Sequence, residues 1–166
     1  MRRGLLMNTN ATPESAERYF EDYLPGTVVE LGSARMDGQE MLQFARRFDP
    51  QPIHVDAVSA AAGPFGGLIA SGWHTASLMM NLYATRYLSA ASSVASPGIE
   101  SIQWPYPVRA GDELRVRVTV LDARRSRSKA DRGVLQSLIE VLNQDSRIVM
   151  SMRATNIVLC RTRPEI

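Results

Sequence analysis

Residues 44–80 read FARRFDPQPIHVDAVSAAAGPFGGLIASGWHTASLMM and hold nearly all the chemistry that this chain of 166 residues can perform. A carboxylate, Asp49, and an imidazole, His54, stand five residues apart in a segment punctuated by Pro50 and Pro52. Gly72 follows His54 by eighteen residues and opens an apolar run with helical spacing. The stretch reads as a polar loop leading into a long buried helix.

Working upstream, Asp37 suits the cap of a helix that runs to about Phe48, with Met41, Leu42, Phe44, Ala45 and Phe48 at helical spacing. Pro50 ends it, because proline disfavours helical geometry in the residue before it and offers no amide donor. Residues 27–36 form a first strand, β-branched at its start. Before it, 14–24 is a short amphipathic segment with Tyr19, Phe20 and Tyr23, closed by a turn at Pro25-Gly26. In residues 1–12, Arg2 and Arg3 precede Leu5, Leu6 and Met7, an apolar run shorter than the ~7–15 residues of a signal-peptide core. That stretch reads as a disordered leader, leaving 13–166 as one domain.

Downstream, 56–62 makes about one helical turn, and Gly63-Pro64-Phe65-Gly66-Gly67 frees the backbone for a close approach. The helix from Gly72 to about Leu88 carries Trp73, Ala76, Met80, Tyr83 and Tyr87 on one side and Leu78, Met79 and Leu82 on another. A helix apolar on more than one side is expected to be buried. Residues 89–98 read as a small-residue loop and 99–104 as a short strand. Residues 113–124 alternate, with Leu114, Val116, Val118 and Val120 opposite Arg115, Arg117 and Thr119, the pattern of a half-exposed antiparallel strand. A charged connection at 126–132, a strand at 133–143, a turn at 144–146 and a last strand at 147–160 complete the chain. The fold class is therefore α+β, a single domain with a long central helix wrapped by a curved antiparallel sheet.

Composition narrows the function. The net charge is +2, and the cluster of Arg124, Arg125, Arg127, Lys129 and Arg132 is interrupted by Asp131 and lacks a recognition motif, so no nucleic-acid partner is expected. No apolar stretch reaches the ~18 residues needed to span a bilayer, so no membrane partner is expected either. Cys160 is the single cysteine, which excludes an intrachain disulfide and suits a reducing cytoplasm.

Asp49 and His54 have the chemistry of a dyad that holds and polarises one water, since a carboxylate accepts its hydrogen bond and an imidazole exchanges its proton near neutral pH. On spacing alone they are equally a helix-ending polar residue and a hydrogen-bonded structural histidine. Gly72, at a helix start, has an amide without an intrahelical partner, able to meet a carbonyl oxygen that gains negative charge, or it serves close packing. His74 lies inside the helix, where a structural role is expected. Ser71 and Ser77 have no adjacent base and are poor nucleophile candidates. Asp49, His54 and Asp56 do not make a convincing metal set, and no metal is expected.

With these residues in place, the chain resembles the MaoC-like dehydratase family, which includes the (R)-specific enoyl-CoA hydratases of the hot-dog fold. The run from Asp49 through Pro50, Gln51, Pro52 and Ile53 to His54 is similar to the hydratase motif of aspartate, any residue, asparagine, proline, an aliphatic residue and histidine. Phe65 to Gly72 resembles the family's approach to its central helix, and Pro107-Val108-Arg109-Ala110-Gly111-Asp112 its turn into a strand; the likeness runs from about residue 20 to 161. It implies a hot-dog domain, homodimers joined edge to edge, and a coenzyme A thioester as substrate with no other cofactor. It implies further that Asp49 and His54 bind the water added to a 2-enoyl thioester while the Gly72 amide stabilises the enolate. Gln51 stands where the hydratases usually have asparagine, and Ser71 where many have histidine. Trp73 and Met80 either narrow the acyl pocket or belong to the core. Arg109, Arg115 and Arg117 are candidates for the phosphates of coenzyme A, with nothing to choose among them. A hot-dog thioesterase and a non-catalytic acyl-thioester-binding subunit are the competing readings.

Overall fold

The computed structural model describes residues 17–162, so the leader expected at 1–12 lies outside the described residues. Asp37 caps α1 (Gly38–Phe48) by accepting from the amides of Gln39 and Glu40, as its position implied. α1 ends at Asp49, and two short helices follow, α2 (Pro52–Val55) and α3 (Ala57–Ala62). Proline at the first position of α2 loses nothing, because that amide has no intrahelical partner in any case. Asp56 caps α3 through Val58 and Ser59. The long helix α4 runs Gly72–Arg86.

Strands β1 (Val28–Arg35), β2 (Ser93–Gln103), β3 (Glu113–Arg125), β4 (Arg132–Leu142) and β5 (Ile148–Leu159) form one antiparallel sheet in the order β1-β3-β4-β5-β2. The alternation read in β3 is the one observed: Leu114, Val116, Val118 and Val120 are buried. They join Leu135, Ile139 and Val141 of β4 and Met150 and Met152 of β5 in a core against Met79, Leu82, Tyr83 and Tyr87 of the α4 region. Full burial of each such aliphatic side chain is worth about 1.5–3 kcal/mol, so this seam is the main source of stability. The upstream amphipathic segment contributes a 3₁₀ turn at Phe20–Asp22, and Tyr23 enters the core.

Two expectations are corrected. α4 is not buried all round: His74, Thr75, Met79, Leu82 and Tyr83 are buried, while Trp73 is 57% and Met80 43% exposed. One sheet can cover only one side of a helix. Residues 89–98 are not all loop, because β2 begins at Ser93. Its small residues show no alternation since the strand is an exposed edge, held to β5 by backbone bonds with register shifts, and Pro97 is tolerated there. Among the described residues no helix is long and apolar enough to cross a membrane.

His74 is buried and stacked on Phe44, with ring centroids 4.8 Å apart. Burial pushes its imidazole below its ordinary value, with Glu40 opposing. As pH falls below the unfolded imidazole's ~6.5, the unfolded chain takes up this proton first, so stability declines until the folded form also protonates. Denaturant unfolding from pH 7.5 to 5 is expected to show that loss, and His74→Phe to reduce it; an equal pH dependence in the variant would contradict this.

Gly32 sits at φ +85° in the β1 bulge, beside the guanidinium of Arg86, whose Nη1 donates to the Leu31 carbonyl at 2.7 Å. Gly32→Ala adds a strained left-handed residue and displaces Arg86, and is expected to lower unfolding free energy by about 1–3 kcal/mol. An unchanged denaturation midpoint would refute this account of the bulge.

Candidate active site

The end of α1 and the start of α4 meet. Asp49 takes the C-cap of α1 with non-helical geometry (φ −152°, ψ 67°), and α2 brings His54 back towards it. His54 is buried, and its Nδ1 lies 2.8 Å from the Ile69 carbonyl. A carbonyl only accepts, so the neutral ring carries its hydrogen on Nδ1 and leaves Nε2 with a free lone pair. The segment holding that carbonyl is itself pinned, Ile69 donating its amide to Ile53 and Ala70 to Val108.

His54 Nε2 stands 3.3 Å from Asp49 Oδ2. The carboxylate is oriented from both sides: Gln51 Nε2 donates to Oδ1 and Ser71 Oγ to Oδ2, each at 2.7 Å. The Gln51 bond first, then that of Ser71, holds the Asp49 carboxyl below the usual carboxylate range; burial opposes them and His54 adds to the lowering. Asp49 is therefore an anion at neutral pH. An anionic oxygen and an imidazole lone pair facing each other at this distance are both acceptors, and what satisfies them is a hydrogen between them or the hydrogens of one water.

Gly72 is the first residue of α4, after Ser71, whose hydroxyl accepts from the Trp73 amide at 3.3 Å. The Gly72 amide has no carbonyl partner among the described residues. Gly72 lines, with Asp49 and His54, a cavity of about 310 Å³ whose apolar walls include Phe65, Trp73, Trp104 and Tyr106. A Cβ at position 72 would lie 2.6 Å from the Trp104 indole, so glycine here also permits close packing. The three residues singled out in the sequence are thus brought to one cavity. Of the two readings of Gly72, close packing is the one observed.

The sequence reading missed other parts of this site. Ser71, a poor nucleophile candidate from its sequence neighbours, serves as helix cap and donor to Asp49; a serine just before a helix-opening glycine is the available signal. Gln51 supplies a side-chain amide in the motif's asparagine position. Trp73 lines the cavity rather than the core, whereas Met80 lines a separate one. Trp104 had no local signal, because tertiary packing brings it to Gly72. Arg109, Arg115 and Arg117 are all engaged by the protein: with the carbonyls of Phe65 and Leu68, with Ser146, and with Glu140.

Residues 21–141 match the MaoC-like domain family. The chain belongs to that family. This MaoC-like domain is 31% identical over 153 residues to the 3-hydroxybutyryl-CoA dehydratase of Methylorubrum extorquens, covering 85% of this chain and 95% of the relative. Among solved structures it superposes on a MaoC-like dehydratase from Rhodospirillum rubrum with a TM-score of 0.81 and 36% identity, across 87% of this chain and 99% of the other. A Mycobacterium tuberculosis protein with a double hotdog fold matches at a TM-score of 0.72 and 14% identity, over 90% of this chain and 46% of that one. The MaoC-like domain thus has the hot-dog fold, and relatives of it are named as dehydratases.

Removing the Ser71 hydroxyl leaves Asp49 with one fewer donor. Ser71→Ala is expected to raise the Asp49 titration midpoint, read by carboxyl carbon NMR, and Gln51→Leu to do the same. An unmoved midpoint in both variants would show that these bonds do not set the charge of Asp49.

Proposed function

We propose that this MaoC-like domain is an acyl-thioester hydratase/dehydratase that interconverts a 2-enoyl-CoA and a 3-hydroxyacyl-CoA. The observation that carries the reading is that Asp49 Oδ2 and His54 Nε2, two hydrogen-bond acceptors, lie 3.3 Å apart in residues lining the same cavity as Gly72, whose amide has no carbonyl partner among the described residues. In hydration, one water is held by the pair and its oxygen attacks the β-carbon. Its proton passes to His54 Nε2, with Asp49 stabilising the imidazolium. The π electrons move onto the thioester oxygen, where the Gly72 amide stabilises the negative charge. The enolate collapses by taking that proton at the α-carbon, so the net addition is one water across the double bond. Dehydration runs the same steps backwards: the pair removes the α-proton and protonates the departing hydroxyl.

The working unit in this proposal is a homodimer. β2 is an exposed sheet edge and Trp73, Met80 and Ile99 are exposed beside it, surface that a second copy of the chain would cover. Light scattering at micromolar concentration is expected to give twice the chain mass; a monomer would contradict it.

The activity is tested with trans-2-enoyl-CoA thioesters, following loss of the enoyl-thioester absorbance alongside release of free thiol. Absorbance loss without thiol is the expected result, and Asp49→Asn and His54→Gln are each expected to reduce it by about 10²–10⁴ while remaining folded. Thiol release alone would mean hydrolysis, the thioesterase reading. Turnover undiminished in either variant would remove the dyad from the mechanism.

A further inference from the structure

Two cavities are lined by residues of α4. The catalytic one takes Gly72, Trp73 and Thr75 from α4 and Trp104 from just beyond β2. The second, about 430 Å³, takes Met80 and Tyr83 from α4 and Ile99 from β2, with Met152 and Ala154 of β5. Seven residues of helix separate Trp73 from Met80, about 10 Å at 1.5 Å per residue. Their linings share no residue. Among the walls of the catalytic cavity is a pair of indoles, Trp73 and Trp104, in edge-to-face contact with centroids 5.3 Å apart. Trp104 also lies against Gly72, close enough to exclude a Cβ there. A thioester whose oxygen reaches the Gly72 amide therefore binds next to this indole.

We propose that Trp104, braced by Trp73, is the end wall of the acyl site and determines chain length. It stops the acyl group within the catalytic cavity, so that short 2-enoyl thioesters are accepted and long ones excluded from the space by Met80 and Tyr83. The pair is held by an edge-to-face ring contact. Truncating Trp104 enlarges the catalytic cavity beside Gly72. This inference rests on the acyl-thioester reading of the site.

The test compares but-2-enoyl-CoA with oct-2-enoyl-CoA for the wild type, Trp104→Ala, Trp104→Phe and Trp73→Ala, after circular dichroism and light scattering have shown unchanged folding and assembly. The ratio of kcat/KM for eight over four carbons is read, because a general loss of structure lowers both and leaves the ratio unmoved. The wild type is expected to favour four carbons by at least ~10-fold, and Trp104→Ala to raise the ratio by at least ~10-fold. Trp104→Phe and Trp73→Ala are expected to shift it less, in the same direction, and they decide the matter if the alanine variant does not fold. A wild type indifferent to length, or a ratio unmoved in the folded variants, overturns the inference and leaves the hydratase reading standing. Calorimetric binding of butyryl-CoA and octanoyl-CoA to the same proteins separates the opposite case. If no enoyl thioester is hydrated, the same length preference in affinity, relaxed in Trp104→Ala, upholds the end wall while the hydratase reading fails; affinities independent of length overturn both.

Discussion

α4 has a single sheet to lie on, and much of the molecule follows from that constraint. A helix of fifteen residues packed on one curved sheet buries one side and leaves the other exposed. The buried side, Met79, Leu82 and Tyr83 with Tyr87 just beyond the helix, carries the core against β3, β4 and β5. The uncovered side carries Trp73, which lines the first cavity, and Met80, which lines the second with residues of the edge strand β2. The helix also has to begin somewhere, and its first amide, at Gly72 beside the first cavity, is left without an intrahelical partner. A cavity beside a free backbone donor is thus a consequence of how the helix is covered.

What turns that geometry into chemistry is the end of α1. Pro50 stops the helix, Asp49 becomes its C-cap, and α2 returns His54 to within 3.3 Å of the carboxylate. Four groups then agree about protons. The Ile69 carbonyl sets the hydrogen of His54 on Nδ1, the Gln51 amide and the Ser71 hydroxyl keep Asp49 ionised, and Nε2 is left facing the anion. Ser71 has two tasks at once, since the hydroxyl that orients Asp49 also caps α4. Through it the placement of the carboxylate and the start of the helix are mechanically one feature.

The membership of the MaoC-like family and the dehydratase named among its relatives agree with this arrangement of groups. Side chains at positions 51 and 71 differ from the hydratase pattern, yet both donate to the same carboxylate.

The sequence by itself determined the elements whose cause is local. Alternation in 113–120 put Leu114, Val116, Val118 and Val120 inside, Asp37 started α1, Pro50 ended it, and Asp49, His54 and Gly72 stood out as candidates. Each of these is decided by neighbours a few residues away, through sterics, capping or periodicity. Only the tertiary structure decided that 93–98 pairs as an edge strand, because its bonds go to β5 through the backbone and leave no trace in side-chain pattern. It alone decided which side of α4 is covered, that Ser71 serves Asp49, and that Trp104 lies on Gly72. These are contacts between residues 22 and 32 positions apart. Whether two such groups touch depends on how helices and sheet pack, which no local window of residue types encodes.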